Sequence, residues 1–530
     1  MIDKQTTSIF FRKEKEYIIL ISVFTFLALF FGSRMSFFYA TNEWSDVNLY
    51  FNMAKAMLNG RVLYTEVFDH KGPFIFFIYG LGYLISNDSF LGMFLIQIVL
   101  WLLAMYAVYF TARLFLSQSI SFFVTLITAL FLLKLIKAGG SVEEFVLLFE
   151  FISMYFILKF FTHPGEFSRK YNYMFIHGLL TSIVIFTKIN LVIFWVFPLI
   201  SIFTTILLNK EYKVFFRNIL AYLVGFSFIT IFVIGYLYAN DALTEAYYVY
   251  IDLNIKYSNV SGAGRIITSL INLVALSIEP MSLMLMFPLG VFLFPGTLMK
   301  NKIGRWSIFL SGISLYFAIF SSSTLQIYYP LPLLVFSMLG LIAVAFRLEK
   351  YISGNFSVKS LVFLTFLFIF VAVSVKSPLT NTRVETWILG DKAFTPTVIT
   401  RKLAKEIKKE ENPTLLNLGF GLGNNLFTTC NIVPNVKYFV RPNLTYSTYP
   451  ELRNEQVKYI EEKKTLFIVV PSYIYEKNSV MLTDPDNSTN YYLNLPVFQQ
   501  NYELVVADTV INTVEQFNTL EIYRLFKRKE

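Results

Sequence analysis

A chain of 530 residues that is 55% hydrophobic and only 15% charged, with 58 Phe and 33 Tyr, lies far outside the balance of a soluble globular protein and reads as a polytopic membrane protein. The formal charge of +10 would point to nucleic acid only if basic residues gathered on a soluble face. Many of them sit instead in short stretches between apolar runs, so membrane topology explains the charge better than nucleic acid does.

In chain order, apolar runs of span length fall at 16–33, 89–111, 119–136, 144–162, 218–238, 280–298, 305–323, 329–346 and 359–376. The run from 173 to 208 is too long for one span and is split by Lys188 and Asn190, giving about eleven spans in all. With the N-terminus in the cytoplasm, the cytoplasmic stretches carry 17 Lys and Arg in 66 residues, against 8 in 110 on the opposite side. That asymmetry is the positive-inside rule, and an odd number of spans places the C-terminus outside. The apolar stretch Pro73 to Ile85 is short for a span, and counting it as one would invert every later loop. It reads as an interfacial helix on the outer face, with Pro73 in its first turn, where a missing N–H costs nothing. The first apolar run is of span length and no small-residue cleavage site follows it, so no signal cleavage is expected.

Four outer loops carry polar groups that packing alone does not require. The first, 34–88, holds Glu43 and Asp46 and then "FDHKGP" with Asp69, His70 and Lys71; the second is "KAGGSVEEF" with Glu143 and Glu144; the third is the turn at Lys188; the fourth is "LQIYYPLP" with Tyr328 and Tyr329. Asp46 stands four residues before Tyr50 on a short helix expected to run along the membrane surface, which lets its carboxylate face the same interface as Lys71. Each group also has an ordinary role: carboxylates solvated in a loop, Lys188 snorkelling at a helix end, and the two tyrosines in an aromatic belt.

From about residue 377 the pattern changes to that of a small α/β module, 377–530. Residues 397–411 and 451–464 read as helices, and "TLLNLGF", "TLFIVV", "YELVVAD" and "TLEIYRLF" as strands. "GFGLGNN" at 419–425 lacks the third glycine in register and the later acidic residue of a dinucleotide loop, and reads as a plain strand-to-helix turn. The only cysteine is Cys430, which excludes a disulfide within the chain.

Together, Asp46, "GRVLYTEVFDHKGPFIFFIYGLG", "GGSVEEF" and "FTKIN" around Lys188 resemble bacterial membrane glycosyltransferases of the GT-C superfamily, similar to the family 39 protein mannosyltransferase and aminoarabinose transferase group. The resemblance implies a GT-C-like transmembrane catalytic domain over 1–376, with outer-face juxtamembrane helices, and an extracytoplasmic α/β domain over 377–530. It implies a polyprenyl-phosphate-linked sugar donor, a glycan or protein acceptor outside the cell membrane, and transfer with inversion. On the matching positions it implies catalytic roles for Asp46, as base, and Glu144. Lys71, Lys188 and His70 would bind the donor phosphate, and Asp69, Glu143, Tyr328 and Tyr329 would orient substrate. No cofactor is implied beyond an optional divalent metal ion, for which Asp69, His70 and Glu143 are the candidate ligands. The alternative is a transporter or flippase of a lipid-linked saccharide, although transporters usually bury their charges at the membrane midplane between repeats and no repeat is visible here.

Overall fold

The computed structural model describes residues 4–163, 169–257, 267, 286–320, 326, 328–349, 357–375, 383–389, 396–419, 421–441, 444–475, 490–512 and 519–530. The principal helices are α1 (Lys4–Gly32), α2 (Ser45–Leu58), α3 (Pro73–Ile85), α4 (Leu91–Arg113), α5 (Gln118–Leu135), α6 (Val142–Thr162), α7 (Asn172–Ile185), α8 (Ile193–Leu208), α9 (Tyr212–Ala239), α10 (Lys302–Phe320), α11 (Leu334–Leu348), α12 (Val358–Val375), α13 (Pro396–Ile407), α14 (Gly423–Thr429) and α15 (Pro450–Glu461). Four strands accompany these helices: β1 (Leu415–Asn417), between α13 and α14, and β2 (Phe467–Tyr475), β3 (Tyr502–Asn512) and β4 (Thr519–Arg528), after α15.

Among the described residues, eight helices are long and apolar enough to cross a membrane. Shorter apolar helices occupy Pro73–Ile85, Asn172–Ile185, Met286–Leu298 and Val358–Val373. The last three of these fall in the three remaining expected runs but are shorter than a span among the described residues, and residues 280–285 of the run 280–298 lie outside the described residues. Helix α3 has 13 residues, about 20 Å at 1.5 Å per residue, against a hydrocarbon core of about 30 Å. The long run 173–208 breaks at Lys188, whose backbone is extended (φ −153°, ψ 91°) between α7 and a short 3-10 turn, Ile189–Val192.

One compact unit comprises 1–33, 96–235 and 258–376. Within it α5 packs against α1, α11 and α12, and α8 against α10. Helices α7 and α9 cross so closely that a Cβ added at Gly178 would lie 2.0 Å from the Tyr222 carbonyl oxygen, and one added at Gly225 2.1 Å from that of Phe175. Backbone contact of this kind suits helices in lipid, where apolar burial gives little drive to associate. Leu220, Phe228 and Ile231 on α9 are exposed, the expected surface for a helix whose solvent is hydrocarbon.

The second unit comprises 34–95, 236–257 and 377–530. Helix α2 packs on α3 through Tyr50, whose ring centroid lies 6.4 Å from that of Phe76 and 5.5 Å from that of Tyr79. The sheet has the order β1-β2-β4-β3. Strand β1 runs parallel to β2 (Leu415 opposite Phe467), and β4 is antiparallel to both β2 (Val469 opposite Leu525) and β3, with an irregularity between Leu504 and Val506. Helix α13 buries Val398, Ile399, Leu403, Ala404 and Ile407, one apolar stripe at helical spacing, and packs on β3.

Candidate active site

The segment ahead of Asp69 is a tight, internally bonded turn. Tyr64 takes a left-handed conformation (φ 70°), a cost tolerated where the surroundings fix it. Its N–H donates to the Val67 carbonyl at 2.8 Å, and its buried hydroxyl donates to the Lys71 carbonyl at 2.7 Å. Phe68 N donates to the Lys437 carbonyl at 3.1 Å, the Phe68 ring stacks on Tyr449 with centroids 5.2 Å apart, and Asn254 Nδ2 donates to the His70 carbonyl at 2.6 Å. The backbone of "FDHK" is thus pinned from three directions.

The side chains of that motif form a short polar relay. Asp69 is buried; its Oδ1 accepts from the His70 N–H at 2.8 Å and lies 3.5 Å from His70 Nδ1. On the far side of the imidazole, Nε2 is 3.5 Å from Lys71 Nζ, so the tautomer that lets Nε2 accept from the ammonium carries its proton on Nδ1, facing Asp69. Asp69 Oδ2 is buried and takes no hydrogen bond among the described residues. Burial pushes the Asp69 carboxyl up to about 6; the Lys71 charge opposes the rise, the Asp46 charge adds to it, and the His70 and Lys71 N–H groups oppose it. Asp46 itself is half-buried in the first turn of α2. Asp46, Asp69, His70 and Lys71 therefore share one electrostatic neighbourhood.

A raised carboxyl binds its proton more tightly in the folded state, so its contribution to stability is fully present below about pH 4 and is lost as pH rises through about 6. The shift from 3.8 to about 6 corresponds to about 3 kcal/mol. Asp69→Asn, which carries no charge, should melt progressively higher than the parent protein as pH rises from 4.5 to 7.5. A melting difference independent of pH would show that Asp69 is not held in this environment.

The polar groups of the other unit fall into two sets. Lys188 Nζ lies 2.5 Å from Glu143 Oε1 and 4.0 Å from the centre of the Tyr329 ring, which is edge-on to Tyr328 at 5.3 Å. Glu144, next to Glu143 in sequence, faces elsewhere. Ser141 caps α6 by accepting from Glu144 N at 3.0 Å, and the Glu144 carboxylate is buried, accepting from Gly140 N at 2.6 Å and from Gln97 Nε2 and Trp101 Nε1 at 2.7 Å each. This is close to a capping box, with Gly139 and Gly140 at φ 86° and 92° supplying the turn. Of the fourth outer loop, positions 325 and 327 lie outside the described residues.

Sequence reasoning passed over Asn48, Asn52, Lys55, Asn424 and Thr428, which are buried and bonded to one another's helices. The signal was present: Ser45, Asn48, Asn52 and Lys55 recur at the three- and four-residue spacing of one helix face. Among the described residues no three His, Cys, Asp or Glu side chains gather into a metal site.

A family model, the competence-induced protein Ccs4 N-terminal domain, matches residues 3–371. No curated protein sequence matches the chain. Among solved structures the chain is similar to ArnT from Cupriavidus metallidurans in the apo state (TM-score 0.52, 14% identity, covering 96% of this chain and 97% of that one). The same protein bound to undecaprenyl phosphate matches with a TM-score of 0.52 at 13% identity, over the same shares of the two chains. The oligosaccharyltransferase of Archaeoglobus fulgidus in complex with Zn and sulfate matches at 11% identity with a TM-score of 0.46, over 94% of this chain and 72% of that one. The chain has a GT-C-like fold of membrane helices with a small C-terminal mixed sheet. With a family match that spans well over half of its length, it belongs to the family of the competence-induced protein Ccs4 N-terminal domain.

Proposed function

We propose that the protein is a membrane glycosyltransferase that moves a sugar from a polyprenyl-phosphate donor to a hydroxyl of a glycan or protein acceptor outside the cell membrane. The observation that carries this reading is that Asp46, half-buried in the first turn of α2, and Lys71, in a loop whose backbone is pinned from three directions, both act on the buried Asp69 carboxyl. The similarity to ArnT, solved with undecaprenyl phosphate, supports a lipid phosphate as the donor's carrier. The acceptor oxygen attacks the sugar C1 while the bond from C1 to the phosphate oxygen breaks. The hydroxyl proton goes to Asp46, and the polyprenyl phosphate leaves with its growing charge opposite Lys71. One displacement inverts the anomeric centre and needs no carboxylate nucleophile, in contrast to retaining hydrolysis.

Asp69 and His70 hold Lys71 in place, and Glu144 fixes the 139–144 turn rather than exchanging protons, since both of its oxygens are already engaged. Lys188, held by Glu143 beneath the Tyr329 ring, is assigned to an anionic lipid phosphate, and Tyr328 supports that ring. No step runs through a metal ion. The active loops and residues 377–530 are assigned to the extracytoplasmic side on the charge asymmetry of the loops. Purified protein in detergent, given a radiolabelled polyprenyl-phosphate sugar and a mixture of surface glycans, should release polyprenyl phosphate. A donor bond left intact under all acceptor conditions would favour a flippase instead.

A further inference from the structure

Helix α2, which carries Asp46, buries a polar stripe in addition to its apolar residues. Ser45, Asn48, Asn52 and Lys55 all lie inside, and opposite them stand Asn424 and Thr428, one turn apart on α14. Asn424 Nδ2 donates to the Ser45 carbonyl at 3.2 Å, and Asn52 Nδ2 donates to the Asn424 carbonyl at 3.0 Å. Thr428 Oγ1 lies 3.1 Å from Asn48 Oδ1 and 3.4 Å from Asn52 Oδ1, and Lys55 Nζ donates to the Phe427 carbonyl at 3.0 Å. Burial pushes the Lys55 ammonium down to about 8, as expected of a cation taken out of water.

The bonds continue in both directions. Asn424 Oδ1 accepts from Asn417 Nδ2 in β1 at 2.8 Å, and Asn417 Oδ1 accepts from Gly419 N at 3.1 Å, which ties α14 to the sheet. Asn48 Nδ2 donates to the carbonyls of Asn42 and Trp44 at 2.7 and 2.9 Å, which ties down the backbone just ahead of Asp46. An apolar stripe tolerates sliding. A row of buried amides does not, because a shift along the helix leaves donors without acceptors in a low-dielectric interior.

We propose that Asn424 and Thr428 of the C-terminal module are positioning residues for Asp46: they fix the register of α2 and with it the place of the carboxylate. This rests on the transfer reaction proposed above. The test compares full-length Thr428→Val, nearly isosteric but without the hydroxyl, with Thr428→Ser, which keeps it, and with Asn424→Asp, which loses the donor to Ser45. For Thr428→Val and Asn424→Asp, kcat should fall about tenfold or more while KM for the lipid donor stays within about threefold, and Thr428→Ser should restore kcat. Amide hydrogen exchange over 45–58 should rise about tenfold, with that over 73–85 unchanged. Unchanged kcat and exchange, or losses in which KM moves with kcat and serine gives no rescue, would overturn the proposal. Should the parent protein leave the donor intact, the transfer reading fails separately and exchange alone decides: a selective rise over 45–58 sustains the brace, and none overturns it.

Discussion

Replacing Asp46 with Asn is expected to lower sugar transfer by roughly 10²- to 10⁴-fold, the usual contribution of a positioned base, with folding and donor binding retained. An acceptor hydroxyl is a weak nucleophile near neutral pH. Asparagine keeps the shape of the side chain but cannot take the proton. Asp46 is half-buried, so it can meet an acceptor, whereas its neighbour Asp69 is buried and raised to about 6. That division leaves Asp46 as the carboxylate able to work from solvent. Glu43 supplies the contrast. It is buried 3.7 Å from Arg34, so Glu43→Gln should lower thermal stability by weakening that pair while leaving kcat within a few-fold of the parent. If Asp46→Asn kept most of the activity and Glu43→Gln abolished it, the base would be misassigned.

Much of this architecture is written in local pattern. The apolar run 173–208 breaks at Lys188, ahead of the 3-10 turn, Pro73 starts α3, and three of the four strands of the C-terminal module, β2, β3 and β4, lie where β-branched and aromatic residues cluster. These signals are legible because each depends on a few neighbouring residues. What sequence could not show is association at long range. Asn52 and Asn424 are 372 residues apart, and nothing local says that a polar stripe on α2 and the "GNN" of an unremarkable turn complete each other. The same limit separates Glu143 from Glu144. They look interchangeable in "SVEEF", yet the geometry of a helix start sends one to Lys188 and the other into the cap with Gln97 and Trp101. Where a residue's role depends on which way it faces at a helix end, a pair of identical letters carries too little information.

Lys71→Met should raise the apparent KM for the lipid donor by roughly 10- to 100-fold, or lower kcat to a similar degree, at normal expression. A charge-assisted hydrogen bond to phosphate is worth about 1.5 to 3 kcal/mol, and each 1.4 kcal/mol is a factor of ten. Lys71 is half-buried with His70 Nε2 3.5 Å from its ammonium, so part of its hydration is already removed and a phosphate meets it in a reduced dielectric. Lys71→Arg keeps the charge but changes reach and geometry, and should fall between the two. The substitution carries a second, independent mark. The Lys71 charge is the largest influence holding the Asp69 carboxyl down against burial. In Lys71→Met, Asp69 should therefore keep its proton to higher pH, and the loss of stability tied to its ionisation, which starts near pH 4 in both proteins, should continue to a higher pH than in the parent. Unchanged kinetics together with an unshifted pH–stability profile would separate Lys71 from both the donor and Asp69, and would leave the phosphate without a cation in this loop.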